Sequence, residues 1–266
     1  MLSKSSKSIF GAGFALLFVT FAASAGTVPF DTVSYNFPLA GGGGGSSAML
    51  NGVAVEVFCD DFDNDMSVPK DYTADVTTLG TSANLSDTRF GGVTSWTTIA
   101  LSDGNTALDS TDDAFFNSSA TGTSALVRYE MAAYLVSLYN RGQGNNVSNN
   151  EIQEAIWTIL DPKAEGAAID PAGVNPDSYI EQAVSWYNSM SGNQSALNRF
   201  LSNFEIVSPA NMNYVNGLGI GGFQEQIVMT PEPRGGVWMI LGLLFVGILA
   251  RVAYPGTRIV EVGKLL

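Results

Sequence analysis

Cys59 is the only cysteine in 266 residues, and the chain contains no histidine. A thiol can close a disulfide, ligate a metal or act as a nucleophile, and the composition narrows each option. No second cysteine offers an intramolecular bridge, although the export argued below leads to an oxidising compartment, where cysteines usually pair. Without an imidazole there is no Ser-His-Asp or Cys-His constellation and no ordinary zinc site. No convergent pair of acids suggests itself either, so the reading is of a protein that is not an enzyme and needs no cofactor. A second residue able to take part in chemistry is Gln153, in Glu151-Ile-Gln-Glu-Ala-Ile-Trp157. Gln153 and Trp157 lie one helical turn apart on a face beside an apolar stripe. Taken singly, such a glutamine is ordinarily a hydrogen-bonding residue at the edge of a core, and such a cysteine a small buried hydrophobe.

Both residues depend on the elements that carry them. In Val53-Ala-Val-Glu-Val-Phe-Cys59, period two puts Val53, Val55, Val57 and Cys59 on one face, opposite Glu56, Phe58 and Asp60, so Cys59 is expected to end a strand and point inward. Residues 26–120 read as β-rich, with runs such as 32–37 and 92–100 separated by Gly, Asn, Asp and Ser; residues 41–45 read as a flexible glycine loop. Helical spacing of Val127, Met131, Tyr134, Leu135 and Leu138, with Gly142 as a stop, predicts a helix over 124–141. Ser148-Asn-Asn-Glu151 has the capping-box pattern, Ile152, Ala155, Ile156 and Ile159 form the stripe, and Asp161-Pro162 ends that helix. Asn175-Pro176 opens a third helix through Ile180, Ala183, Val184 and Tyr187, and 196–204 is a fourth candidate. Returning strands are expected at 204–207 and 224–229. The order of strands, helices and strands predicts an α+β unit: an antiparallel β-sandwich or barrel-like sheet with an inserted helical subdomain. Asp61-Phe-Asp63-Asn-Asp65 has the start of a calcium loop, but Met66 stands where the turn needs Gly, and a solvated acidic loop is the alternative. Asn84, Asn117, Asn146 and Asn193 head glycosylation-type triplets and read as polar loop positions.

The two ends read as targeting segments. Lys4 and Lys7 precede an apolar run from Ile9, and Ala23-Ser24-Ala25 offers small residues to signal peptidase, which predicts a signal peptide over 1–25 and export across the inner membrane. The mature body, 26–230, holds six Lys and Arg against 23 Asp and Glu, a formal charge of −17. Nucleic acid is therefore not an expected partner. Near the other end, Thr230-Pro231-Glu232-Pro233-Arg234 and a glycine pair precede fourteen uncharged residues, 237–250. At 1.5 Å each these cover only about 21 Å, and a transmembrane helix over about 235–254 needs Arg251 to snorkel. Trp238 and Tyr254 would anchor it at the interfaces.

Pro231, Glu232 and Pro233, the short apolar helix and Arg251 resemble the PEP-CTERM sorting signal of diderm bacteria. That resemblance covers about the last 35 residues and implies recognition by an exosortase, a membrane-embedded cysteine protease. The protein would be anchored in the membrane by its C-terminal helix, then cut near the motif and delivered to the cell surface or extracellular matrix. Here the basic residues Arg251, Arg258 and Lys264 are spread out, whereas the family ends in a tight cluster. A plain C-terminal anchor is the alternative.

Phe58-Cys59-Asp60-Asp61 and Ile152-Gln153-Glu154-Ala155-Ile156-Trp157 together resemble a second family, the thioester domains of bacterial surface adhesins. Tyr72 and the helix carrying Ala132-Ala133-Tyr134-Leu135 also resemble family positions. The resemblance spans roughly residues 50–230 and implies an internal thioester between Cys59 and Gln153, flanked by Phe58, Asp61, Ile152, Ile156 and Trp157. Such a bond is opened by a partner's nucleophile. With no imidazole to activate a hydroxyl, lysine amines are the expected targets, and an acidic body would draw lysine-rich surfaces. The functional expectation is an exported, exosortase-sorted surface protein that attaches covalently to amines, with its thioester-like domain over 26–229 and its sorting signal over 230–266. The alternative is a structural protein of the extracellular polysaccharide matrix without a reactive bond.

Overall fold

The computed structural model describes residues 27–38, 43–62, 64, 67–94, 115–116, 124–142, 146–160 and 176–230. The expected signal peptide over 1–25 and the expected sorting segment beyond Thr230 lie outside the described residues. Among those described, no helix is long and apolar enough to cross a membrane.

Six strands close into an antiparallel barrel in the order β1-β2-β3-β8-β5-β4: β1 is Val28–Pro38, β2 Gly44–Leu50, β3 Val53–Cys59, β4 Lys70–Thr78, β5 Phe204–Pro209 and β8 Gln226–Met229. Two short strands, β6 (Asn213–Val215) and β7 (Leu218–Ile220), pair as a separate ribbon. Between β4 and β5, four helices stand among the described residues: α1 (Ala125–Leu138), α2 (Val147–Leu160), α3 (Asp177–Ser191) and α4 (Gln194–Leu201). The molecule is thus α+β, and of the two expected sheet forms the barrel is the one present. Its closure leaves no free sheet edge among these six strands.

Every barrel strand sends a residue into one cluster, Phe30, Ala48, Leu50, Val57, Ala74, Val207 and Val228, which is therefore the barrel interior. The adjacent residues Phe58, Ile206 and Ile227 face the other way and are buried just as deeply under the helices. The expected two-faced strand at 53–59 is corrected accordingly. Val53 is 60% exposed, while Val57, Phe58 and Cys59 are all buried, because the second face of the sheet is roofed by helices rather than water. Where both faces are covered, alternation of polarity disappears.

Helix α1 is the centre of that roof. Ten of its fourteen residues are buried, including Arg128 and Glu130, and it packs against both α2 and α3. Ala132 and Ala133, both fully buried, allow the neighbouring helices to approach closely. Arg128 is satisfied by donating to the Ile159 carbonyl at 2.6 Å and to the Phe116 carbonyl at 3.4 Å, with its guanidinium 5.1 Å from the centre of the Phe116 ring. Burial holds its pKa down at about 9.

The helix starts differ from the pattern reading in instructive ways. Helix α2 begins one residue before Ser148, and its cap is Asn146, whose Oδ1 accepts from the Asn149 N–H at 3.0 Å. Helix α4 spans 194–201 rather than 196–204, capped by the Asn193 side chain on the Ala196 N–H at 3.1 Å, which leaves Phe204 free to start β5. Asn146 and Asn193, read as loop positions, are thus helix caps, a role their short amide side chains fill well. Helix α3 starts with Pro176 in helical geometry at the cap position, its carbonyl accepting from Tyr179 and Ile180. The expected strand at 92–100 is absent from its described part, since Gly92 lies in a turn closed by the Val93 N–H on the Phe90 carbonyl and residues 93–94 join no strand; 95–100 lie outside the described residues.

Candidate functional site

Cys59 ends β3, opposite Gln226 of β8 in the ladder. Gln153 comes from the second turn of α2, whose stripe of Ile152, Ala155, Ile156 and Ile159 is buried against the barrel and α1. This packing brings the two residues into one pocket although 94 positions separate them: Gln153 Nε2 donates to the Cys59 carbonyl at 2.8 Å. One turn further along α2, Trp157 Nε1 donates to Cys59 Sγ at 3.2 Å. The thiol in turn donates to the Asp61 carbonyl at 3.3 Å. Cys59, Gln153 and Trp157 are 3%, 1% and 2% exposed, so water has almost no access to any of them. Phe62 packs on Trp157 in a T-shaped contact, the centroids 5.3 Å apart.

The carboxamide is held at its other end as well. Gln153 Oε1 accepts from the Gly44 N–H at 2.8 Å and from the Tyr139 hydroxyl at 2.9 Å. Tyr139 follows α1 and stacks on Phe58, with centroids 5.2 Å apart and planes within 11°. Buried Asn149 of α2 fixes the neighbouring backbone, accepting from the Asn140 N–H at 2.9 Å and donating to its carbonyl at 3.1 Å. The glycine run, expected to be a flexible loop, is ordered in its described part: Gly44 and Gly45 pair in β2. Here glycine is needed for closeness. A Cβ at Gly43 would stand 2.6 Å from Cδ, Cγ and Oε1 of Gln153, and Gly44 has φ +108°.

Burial pushes the Cys59 thiol well above its ordinary pKa, the Asp61 charge adds to this, and the Trp157 hydrogen bond acts against it. The site therefore holds a neutral thiol beside a neutral carboxamide. Both remaining expected neighbours on α2, Ile152 and Ile156, are buried and hold the helix to its support, and Phe58 lies under Tyr139.

Asp61, expected beside the thioester, belongs to a second cluster. Its carboxylate is paired with Arg89 Nε at 2.6 Å and accepts from Asn64 Nδ2 at 3.0 Å and the Glu225 N–H at 3.2 Å. Burial nevertheless raises its pKa to about 6, with Arg89 opposing the rise. Arg89 donates further to the carbonyls of Gly219, Gly221 and Phe223, so it ties the β6–β7 ribbon and the approach to β8 onto the barrel end. Glu225, fully buried, accepts from the Arg89 N–H, the Tyr129 hydroxyl at 2.6 Å and the Ser208 hydroxyl. Tyr72 closes this side, donating to the Gln224 carbonyl at 3.1 Å. Asp60 is buried between the two clusters. Its carboxyl is pushed well above the usual range by desolvation and then by the Glu225 charge, and among the described residues neither of its oxygens has a hydrogen-bond partner. The acid that would open a calcium loop is thus bound to an arginine, and among the described residues no group of acids, cysteine or histidine is arranged to hold a metal. Asp63 and Asp65 lie outside the described residues.

Sequence reasoning missed Tyr139, Gly43 and Gly44 around the glutamine, and Arg89 and Glu225 around Asp61. Two signals were present. Arg89 is the only basic residue between Lys70 and Arg128, and Glu225 stands inside the run expected to form the last strand. Pro231, Glu232, Pro233 and Arg251 lie outside the described residues. No protein-family model, no curated protein and no solved structure matches this chain.

Proposed function

We propose that Cys59 and Gln153 form an internal thioester, and that the protein is an exported, exosortase-sorted surface or matrix protein that uses this bond to attach covalently to amines. The observation that carries the reading is the enclosed pair: a buried, unbridged thiol held by Trp157 and Asp61 beside a glutamine whose carboxamide nitrogen bonds the cysteine's own carbonyl at 2.8 Å. In forming the bond, Cys59 Sγ adds to Gln153 Cδ, the Cδ–Nε2 bond breaks, and the thiol proton leaves with the nitrogen as ammonia. A lysine amine reverses the logic. Its nitrogen bonds Cδ, the Cδ–Sγ bond breaks, and a proton returns to sulfur, leaving an amide on Gln153. Exclusion of water protects the bond until an amine arrives.

Intact mass tests this. The mature body should be lighter than its sequence by one ammonia, should gain one methylamine on incubation, and should lose both properties in Cys59→Ala. A thiol that titrates in the native protein sinks the reading. The satisfied hydrogen bonds of Gln153 favour a second reading, in which the pair is a structural link in a matrix protein without a reactive bond; full sequence mass is its signature. Sorting is tested separately. Replacing Pro231, Glu232 and Pro233 should leave the body in the inner membrane, and equal release of mutant and wild type counts against exosortase processing.

A further inference from the structure

Two donors far apart in the sequence converge on one oxygen. Gly44 N–H, at the start of β2, and Tyr139 O–H, just after α1, lie 2.8 and 2.9 Å from Gln153 Oε1. We propose that these two groups form an oxyanion hole that catalyses both the closure of the Cys59–Gln153 thioester and its opening by an amine. The inference rests on the thioester reading and adds the machinery that reading lacks, since the chain has no imidazole to raise the nucleophilicity of the thiol.

The thiol is neutral and buried, so the barrier to its addition cannot be lowered by supplying a ready thiolate. What the site supplies is stabilisation of the product of addition. When sulfur bonds to Cδ, the carbonyl π pair moves onto Oε1, and both hydrogen bonds become charge-assisted, roughly twice as strong as neutral ones. Both donors already lie 2.8 and 2.9 Å from the resting carboxamide oxygen, so the oxyanion that forms on that atom need shift little to stay within about 2.7–3.1 Å of each. Neither donor reorganises as charge appears. The Gly44 N–H is backbone at the start of a paired strand, and Gly43 packs so closely on the carboxamide that a Cβ there would stand 2.6 Å from it. The phenol is fixed by its stacking on Phe58 and by the Asn149 clamp on the next residue. Burial raises the Tyr139 pKa well above its ordinary value, so the phenol keeps its proton and remains a donor.

The same hole acts twice. After ammonia leaves, the thioester oxygen is the former Oε1 and keeps both donors. Amine addition then places negative charge on that same atom, before Cδ–Sγ cleaves and a proton returns to the Cys59 sulfur. Tyr139 is in this sense a catalytic residue, since it touches the reacting carbonyl, whereas Asn149 and Phe58 are positioning residues.

The test compares wild-type body with Tyr139→Phe, which keeps the ring on Phe58 and removes only the hydroxyl. Intact mass is followed from the time of purification, methylamine incorporation is timed on the fraction that has closed, and thermal melting checks the fold. The expected result is a wild type lighter by one ammonia and a folded variant that closes slowly or incompletely. Its closed fraction should react with methylamine roughly 10²–10³-fold more slowly, the usual effect of deleting one such donor. A variant that closes and opens at the wild-type rate overturns the hole while leaving the thioester standing. A wild type of full sequence mass overturns both together. If Tyr139→Phe does not melt cooperatively, fluorotyrosine placed at position 139 alone retains the hydroxyl as a more acidic donor. Reaction at least as fast as wild type then supports the proposal, and slower reaction in a folded protein overturns it.

Discussion

At the end of β3 the chain passes within three residues from a neutral polar site to a charged one. Around Cys59 and Gln153 the donors are a peptide N–H, a phenol, an indole and an amide, and among the described residues the partners of the carboxamide are all neutral. Around Asp61 three buried carboxyl groups, Asp60, Asp61 and Glu225, lie in the field of Arg89, whose guanidinium pairs with Asp61 and whose backbone N–H bonds Glu225. The two sites meet at one atom, the Asp61 carbonyl, which accepts from the Cys59 thiol and from Gln224 Nε2. The charged cluster joins the ribbon, β5, α1 and β8, and its interactions are fully present in the resting fold. The neutral site holds its groups as firmly, but the two donors on the Gln153 oxygen roughly double in strength when charge develops on it. One site belongs to stability, the other to proposed chemistry, and substitutions should separate them.

The largest expected effect is at Arg89. Arg89→Leu leaves Asp61 and Glu225 buried without their counter-ion and should cost about 3–5 kcal/mol, read as a lowered urea midpoint and smaller at pH 5 than at pH 8, where the orphaned acids cannot take up protons. A midpoint equal to wild type would mean the cluster is not a fastening. Next comes Gly43→Ala, whose new methyl would meet Gln153 at 2.6 Å. Overpacking of this kind costs about 1–3 kcal/mol, and intact mass should show that the ammonia is never lost, because the carboxamide is displaced. Cys59→Ala removes little volume and should cost only about 1 kcal/mol while abolishing methylamine uptake completely. A large loss of stability there would move the cysteine to the structural side of the comparison.

The smallest effect is in pH dependence, and it has a definite sign. Burial raises Asp61 to about 6 and Glu130 to about 7, so between pH 5 and 7 the folded chain holds protons that the unfolded chain has released. Their contribution is complete below the ordinary carboxylate range and is lost as pH rises through 6 to 7. Melting temperature should therefore be lower at pH 8 than at pH 5, the direction in which a body of net charge −17 also repels itself more strongly. Asp61→Asn should flatten this slope and Cys59→Ala should not. A melting temperature that climbs with pH would refute the assignment.

Much of the architecture was legible because apolar spacing survives translation into packing. The stripe of Ile152, Ala155, Ile156 and Ile159 does bury α2, and residues 204–207 and 226–229 do return to the first sheet, the former beside β4 and the latter beside β3. The order of strands, helices and strands follows. What spacing could not supply was depth. Period two assigns a face to each residue of β3, but it cannot say that helices roof the face bearing Phe58. Glycines 43 and 44 read as slack because their use here is an absence, the missing side chain that admits Gln153. Tyr139 and Arg89 reach their partners through tertiary closure across 14 and more than 100 positions, a kind of proximity that no local pattern encodes. Asparagines at 146 and 193 were ambiguous for a different reason: the same amide that suits a loop also caps a helix.

Strand β8 is only four residues long, yet it is bonded on one flank to β3 and on the other to β5, and the chain runs on from it through Thr230, whose N–H is held by the Asn203 carbonyl at 2.9 Å. A pull applied beyond Thr230 therefore travels along β8 and loads both ladders in shear. Their rungs lie across the direction of force and must fail together rather than one after another. The far rung of that ladder is Gln226 opposite Cys59. Under the proposed function, a body tethered at this end would be gripped along the length of β8, and tension between that tether and an amine bound at Gln153 would converge on the ladder shared with the strand that carries the cysteine.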